Sequence, residues 1–340
     1  MILIMNEKVI IIAEAGVNHN GDMKLARQLI DAAAEAGVDF VKFQTFIPHL
    51  LVSKRAAKAE YQKQNTQDGS QIDMLNQLAL THLQFRKLKD YCDQKNIGFL
   101  STGFDDQSVR FIDNLGVEYH KIPSGEITNL PYLQLIGSLK KKVILSTGMA
   151  TLDEVKTSVK VLKDSGTNEI TVLHCTTEYP APPEEVNLRA IETMHKDLGL
   201  PTGYSDHTQG IVIPIAAVAM GAVMIEKHFT LSRELPGPDH KASLEPSELT
   251  EMVKSIRIIE KAFGDGIKQP TASEVKNIKA ARRSIHLKHS LPKGHILTED
   301  DLIMKRPGEG ISPMKFMEVI GKTLNSDLPA DTMLNENHIQ

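Results

Sequence analysis

Two hydrophobic rhythms alternate along most of the chain. Short runs rich in β-branched residues recur at residues 9–13, 38–43, 97–101, 118–122, 143–146, 170–174, 202–205 and 222–227. Between them, apolar positions repeat every three to four residues, as at 24–36, 152–163 and 246–263. The short branched runs fit buried parallel strands, and the longer spacing gives a helix one apolar face. About eight such strand–helix units over residues 1–265 predict an α/β fold, a TIM (β/α)8 barrel. A doubly wound open sheet is the rival, but no Gly-x-Gly-x-x-Gly follows the first strand. The polar stretch 48–81 is too long for an ordinary connection and is expected to cover an active site. After Gly264-Asp265-Gly266 the alternation stops. Residues 266–281 are expected to be a linker. Residues 282–340 are expected to be a small, turn-rich second domain with a strand at 284–287 and turns at Pro292-Lys293-Gly294 and Arg306-Pro307-Gly308.

Composition narrows the function. The formal net charge of −4 over 340 residues excludes a general nucleic-acid binder, so any phosphate site must be a local basic pocket. Only Cys92 and Cys175 are present, which excludes a disulfide framework and a Cys-rich zinc site and fits a reducing cytoplasm. The apolar opening, residues 1–5, lacks a basic start and a small-residue cleavage site, so no signal peptide is expected. The apolar run 211–225 holds Pro214 and Gly221 and is too short to span a bilayer, so no membrane partner is expected.

Barrel enzymes place their chemistry at the C-terminal ends of the strands. Here those ends carry Glu14, Lys42 and Gln44, Thr102, Lys121 with Ser124 and Glu126, Ser146, His174, Ser205 with Asp206 and His207, and His228. Buried charge is costly unless paired, so this concentration points to a site. Lys42 and Lys121, with the hydroxyls of Thr102, Ser124 and Ser146, suit a phosphorylated anion. The plainer alternative is that each lysine salt-bridges a barrel carboxylate. His207 and His228 close neighbouring strands and suit a divalent metal with open positions, more Mn²⁺- or Mg²⁺-like than structural zinc. Glu14 and Glu126 are candidates for orienting water and moving protons. His174 is expected to pack, and Cys175 to act as a small buried hydrophobe. Asn18-His19-Asn20-Gly21 reads as a loop and helix cap. The rigid loop Pro236-Gly237-Pro238-Asp239-His240 can deliver Asp239 to a polyol, and Tyr179 is the candidate for stacking on a sugar.

As an ordered set, several strings resemble the sialic acid synthase family over nearly the whole chain. They are Glu14-Ala15-Gly16-Val17-Asn18-His19-Asn20-Gly21, Val41-Lys42-Phe43-Gln44-Thr45, Lys121-Ile122-Pro123-Ser124-Gly125-Glu126, Leu145-Ser146-Thr147-Gly148-Met149, Ser205-Asp206-His207-Thr208, Glu226-Lys227-His228-Phe229, Gly237-Pro238-Asp239 and Lys305-Arg306-Pro307-Gly308. The resemblance implies a barrel followed by an antifreeze-like (SAF) module at 282–340. It implies condensation of phosphoenolpyruvate with the open aldehyde form of an N-acetylated amino sugar, giving a nine-carbon keto acid and phosphate. On that resemblance His207 and His228 bind the metal, Mn²⁺ foremost, with Mg²⁺ or Co²⁺ as alternatives. Lys42, Thr102, Lys121, Ser124 and Ser146 hold phosphoenolpyruvate, with Ser205 also in the substrate site. Gln44, Tyr179 and Asp239 contact the sugar, and Glu14 and Glu126 handle water and protons. Arg306 reaches the N-acetyl group in the partner's site of a domain-swapped homodimer. Thr177 stands where some N-acetylneuraminate synthases carry asparagine. Together with Gly203-Tyr204-Ser205 and His240-Lys241-Ala242-Ser243-Leu244-Glu245-Pro246, it points toward the legionaminate branch and a diacetamido, deoxy sugar. Two readings compete: a Schiff-base aldolase of the N-acetylneuraminate lyase type using Lys121 or Lys42, and a non-enzymatic binding protein built on the small module.

Overall fold

A computed structural model describes residues 8–53, 55–66 and 69–340. The apolar opening at residues 1–5 lies outside the described residues. Eight parallel strands close into a barrel in chain order. They are β1 (Ile10–Gly16), β2 (Phe40–Thr45), β3 (Gly98–Gly103), β4 (Tyr119–Ile122), β5 (Lys142–Ser146), β6 (Ile170–Cys175), β7 (Thr202–Asp206) and β8 (Met224–His228). Most of them run past the last apolar residue of their sequence run. β1, for example, continues through Glu14 to Gly16, because its backbone still pairs with β2 where the side chains turn polar.

Strand alternation sets what the interior contains. A plug of Ile12, Leu100, Tyr119, Ile144, Leu173 and Met224 fills the barrel. Two residues further along the same strands stand Glu14, Thr102, Lys121, Ser146, Cys175 and Glu226, so the polar mouth rests directly on a dry floor. Between strands and helices lies a larger apolar shell that includes Ile11, Leu29, Phe43, Leu88, Tyr204 and Ile225. The helices begin and stop where side chains can satisfy their ends. Asp22 accepts from Lys24 N at the start of Met23–Ala36, and Gly37 ends that helix in the left-handed region. Thr151 and Glu154 form a capping box ahead of Leu152–Ser165. Among the described residues no helix is long and apolar enough to cross a membrane.

The stretch 48–81 is not one long loop. It folds as three short helices, Pro48–Leu51, Glu60–Asn65 and Gln71–Leu78. Met74, Leu75 and Leu78 share one face of the last helix and pack with Val17 and Phe46.

The chain divides into two compact units, Met1–Asp265 and Gly266–Gln340. In the second, β9 (Ser284–Leu287) pairs antiparallel with β10 (Leu302–Lys305). Its own small core contains Ile285, Leu287, Leu297, Leu302, Leu324 and Leu334. The segment expected as a linker instead carries a ten-residue helix, Ala272–Ala281. Thr271 and Glu274 cap its start, and Gly308 N donates to Lys279 O. Its apolar positions are sparse, which is why sequence periodicity did not mark it.

Asp206 and Lys227 sit opposite each other on β7 and β8 and point away from the barrel interior. Lys227 Nζ lies 2.6 Å from Asp206 Oδ2, with both side chains fully buried. Asp206 also accepts from the Tyr204 hydroxyl and from Thr208 N. Lys227→Met should therefore destabilise the barrel by about 3–5 kcal/mol, by stranding the carboxylate. Urea unfolding checks this, and a loss under about 1 kcal/mol would mean that the pair is dispensable.

Candidate active site

The C-terminal mouth of the barrel opens into a cavity of about 310 Å³. Its deep end is a buried charge cluster. Glu226, on β8, lies between two lysines: its Oε2 is 3.5 Å from Lys42 Nζ and its Oε1 is 3.4 Å from Lys121 Nζ. Lys42 Nζ is also 2.7 Å from Glu14 Oε2, and it donates to Thr102 Oγ1 at 3.2 Å. Lys121 Nζ donates to Ser146 Oγ at 2.8 Å, and Ser205 Oγ donates to Glu226 Oε1 at 3.1 Å. Gln44 Nε2 donates to Glu14 Oε1 at 3.1 Å. Strand alternation aims all of these inward from β1, β2, β3, β4, β5, β7 and β8. The lysines are thus paired with barrel carboxylates, and they also converge with hydroxyls on one open space.

The two carboxylates differ in charge state. Burial opposes ionisation of Glu226, but Lys121 and Lys42, with the Ser205 hydroxyl, outweigh it and hold the group down at about 2. For Glu14, burial outweighs the pull of Lys42, and the nearby Glu226 charge adds to it, raising the carboxyl to about 7. Burial also opposes the Lys42 charge, but Glu14 and Glu226 raise its pKa. With Glu14 protonated, two lysines face one carboxylate and the cluster carries a net positive charge suited to an oxyanion.

Beside this cluster stand the two imidazoles, with ring centroids 5.4 Å apart. His207 Nδ1 donates to Thr176 O at 2.6 Å, which fixes the tautomer and leaves Nε2 as the acceptor. The Tyr179 hydroxyl sits 2.9 Å from that Nε2, and its ring stacks on His207 at 4.0 Å. His228 is buried and its Nδ1 has no hydrogen-bond partner, with Asp239 Oδ2 4.0 Å away. Burial, helped by His207 and Lys42, holds His228 neutral. Asp239 is raised to about 6 by burial, against the pull of His207. Among the described residues no three His, Cys, Asp or Glu side chains converge as a metal-holding group. Burial opposes the His207 charge, but Cys175, the Thr176 carbonyl and Asp206 raise its pKa. Two imidazoles, one of them neutral with an orphaned buried nitrogen, fit an exchangeable divalent ion that displaces the His207 proton and takes its other ligands from water and substrate.

Most of the residues singled out from sequence line this one cavity: Glu14, Lys42, Gln44, Thr102, Lys121, Ser124, Ser146, Tyr179, Ser205, His207, His228 and Asp239. Glu126 is a correction. It lies in the 3-10 turn Ser124–Glu126, off the cavity lining, and accepts from Asn129 Nδ2 at 2.6 Å. The turn that brings Ser124 inward rotates the residue two further on away. Asp206 is the second correction, since alternation sends it to Lys227 outside the barrel rather than to the mouth. His174 likewise points outward and bonds Val186 O. Arg306 belongs to the second unit, where it is exposed just after β10.

Sequence reasoning passed over Glu226, although it precedes His228 by two residues and so had to share its inward face. It also missed a crowded loop after β5. Ser124 Oγ accepts from Gly148 N, and a Cβ on Gly148 would fall 2.0 Å from Thr177 Oγ1 and 2.9 Å from Ser124 Oγ, so a side chain there would displace both hydroxyls.

Fold and site together define a barrel enzyme that handles an anionic substrate at the mouth of its strands. Residues 29–268 match the NeuB family and residues 282–340 match the SAF domain. The chain belongs to the NeuB family. It is 51% identical over 333 residues to the N,N'-diacetyllegionaminic acid synthase of Campylobacter jejuni, covering 97% of this chain and 100% of that protein. It is 48% identical over 335 residues to the enzyme of the same name from Legionella pneumophila, covering 97% of this chain and 94% of that one. Among solved structures it resembles an N-acetylneuraminic acid synthetase from Leptospira borgpetersenii, with a TM-score of 0.73 and 37% identity over 80% of this chain and 91% of that chain.

Because Glu14 is raised to about 7, it is neutral below that pH and ionised above it. Ionisation places a second negative charge against Lys42, so affinity for an oxyanion should fall as pH rises through about 7. Sulfate, whose own charge is constant over this range, is the probe, read by calorimetry. The Glu14→Gln variant should lose the step, and a pH-independent affinity in the unaltered protein would contradict the assignment.

Proposed function

We propose that this chain condenses phosphoenolpyruvate with the open-chain aldehyde of an N-acetylated amino sugar, and with water, to form a nine-carbon keto acid and phosphate. The carrying observation is the juxtaposition of the Lys42–Glu226–Lys121 cluster with His207 and His228 in one cavity. The names of the two relatives near 50% identity favour a diacetamido-trideoxy sugar over N-acetylmannosamine as acceptor. The lyase-type alternative finds no support among the relatives; Lys42, held protonated between two carboxylates, is a poor Schiff-base nucleophile, and Lys121, whose pKa burial lowers, is the lysine on which borohydride trapping tests that alternative.

In this reading Lys42, Lys121, Thr102, Ser124 and Ser146 bind the phosphate and carboxylate of phosphoenolpyruvate. Gln44, Tyr179 and Asp239 orient the sugar. His207 and His228 would hold a divalent ion, Mn²⁺ foremost, which supplies Lewis-acid polarisation of the aldehyde when bound. The methylene carbon of phosphoenolpyruvate forms a bond to the aldehyde carbon, whose oxygen takes up a proton. Water adds to the cationic carbon left behind, and the tetrahedral centre expels phosphate as its carbon–oxygen bond breaks. Protonated Glu14, beside Lys42, is the group placed to give and recover protons during these steps. The fixed lysines meet the departing phosphate without reorganising. Arg306 would serve the acetamido group of a partner's substrate in a dimer, and the reaction would run in the cytoplasm.

The test is phosphate release from phosphoenolpyruvate with the diacetamido-trideoxy aldehyde sugar, with and without chelator. Release should require both substrates and be lost on chelation. His207→Ala should lower turnover by more than about 100-fold, since even outer partners of metal ligands are worth about 10- to 100-fold. Near-normal turnover of that variant at limiting Mn²⁺ would overturn the ligand assignment, and chelator-resistant activity with substrate trapped on lysine by borohydride would overturn the reaction class.

A further inference from the structure

The cavity has two unlike walls. One side, over β6 to β8, presents Tyr179, His207, His228 and Asp239. The other side, over β1 to β3, is hydrocarbon. Phe46 lies two residues beyond Gln44, and Phe104 two beyond Thr102, so the strand alternation that aims the polar pair inward carries an aromatic ring just above each. Against them stands one face of the helix Gln71–Leu78, where Met74, Leu75 and Leu78 follow at helical spacing. All five line the cavity, as does Leu51. The excursion also brings two amides to the lining, Gln62 and Gln71. The Gln62 side-chain oxygen already accepts from Ala59 N at the start of its own helix.

An acceptor whose aldehyde lies by the imidazoles, with the lysines filled by the anion, must rest its remaining carbons against a wall. A hydroxymethyl group pressed on Met74, Leu75 and Leu78 would be stripped of water by those three side chains, with Gln71, one turn earlier on the same face, the one amide in the stripe. A methyl group would gain dispersion contacts there. We propose that the Met74–Leu75–Leu78 face is a specificity shelf that selects acceptor sugars ending in a methyl group over those ending in a hydroxymethyl group. This rests on the condensation proposed above and adds to it which residues choose the sugar.

The cleanest comparison changes one oxygen: N-acetylmannosamine against its 6-deoxy counterpart, with phosphoenolpyruvate and Mn²⁺, reading phosphate release. The ratio of kcat/KM should favour the deoxy sugar by on the order of 10- to 100-fold, the size of discrimination an apolar pocket achieves against an added hydroxyl. Met74→Gln keeps the length of the side chain and supplies a hydrogen-bonding amide. It should cut that ratio at least about fivefold, whereas Met74→Leu should preserve it. If thermal unfolding shows that Met74→Gln does not fold, Leu51→Asn, on the half-buried rim of the same wall, takes its place. Phosphate release with a ratio near one, or a ratio that the amide substitution leaves unchanged, overturns the shelf alone. No phosphate release from either sugar or from the diacetamido-trideoxy sugar overturns the condensation reading, and the shelf with it.

Discussion

One buried carboxylate, Glu226, organises the mouth of this barrel. It holds Lys42 and Lys121 at 3.5 and 3.4 Å, neither of them at close contact distance. Two ammonium groups without a counter-charge would be prohibitively costly over a floor of Ile12, Leu100, Ile144 and Met224. With Glu226 between them they are tolerable, yet they remain under-neutralised once Glu14 takes a proton. The site is thus stable when empty and still attractive to an oxyanion. His228 shares the inward face of Glu226 two residues on, so the strand that supplies the counter-charge also supplies an imidazole.

The barrel was legible because its strands and helices follow strong, regular periods. In the second unit the strand at 284–287 was legible, whereas its partner β10, only four residues long, was not read. The helix Ala272–Ala281 was not, because an almost wholly exposed helix leaves little apolar stripe to read. The three short helices within 48–81 escaped because none is long enough to establish a period.

At the site, residue type and strand-end position found ten cavity residues, and loop chemistry added Tyr179 and Asp239, but neither could decide direction. Asp206 and Glu226 both sit beside or near a histidine, and only alternation sorts them. Asp206 turns outward to Lys227, and Glu226 turns inward to two lysines. Glu126 failed for a different reason, since a 3-10 turn breaks the alternation just after β4. The hydrocarbon wall was invisible as function because Met74, Leu75 and Leu78 look like ordinary core positions in a linear reading. Folding places that same stripe both in a cluster and on a cavity.

Thermal unfolding of Glu226→Gln with and without phosphoenolpyruvate tests most directly whether Glu226 makes the two lysines tolerable in the empty site while leaving them short of negative charge. The variant should be less stable than the unaltered protein when empty, yet stabilised more by phosphoenolpyruvate, because the ligand then supplies the missing negative charge. A variant as stable as the unaltered protein without ligand, or one that gains no more from phosphoenolpyruvate than the unaltered protein does, would contradict it.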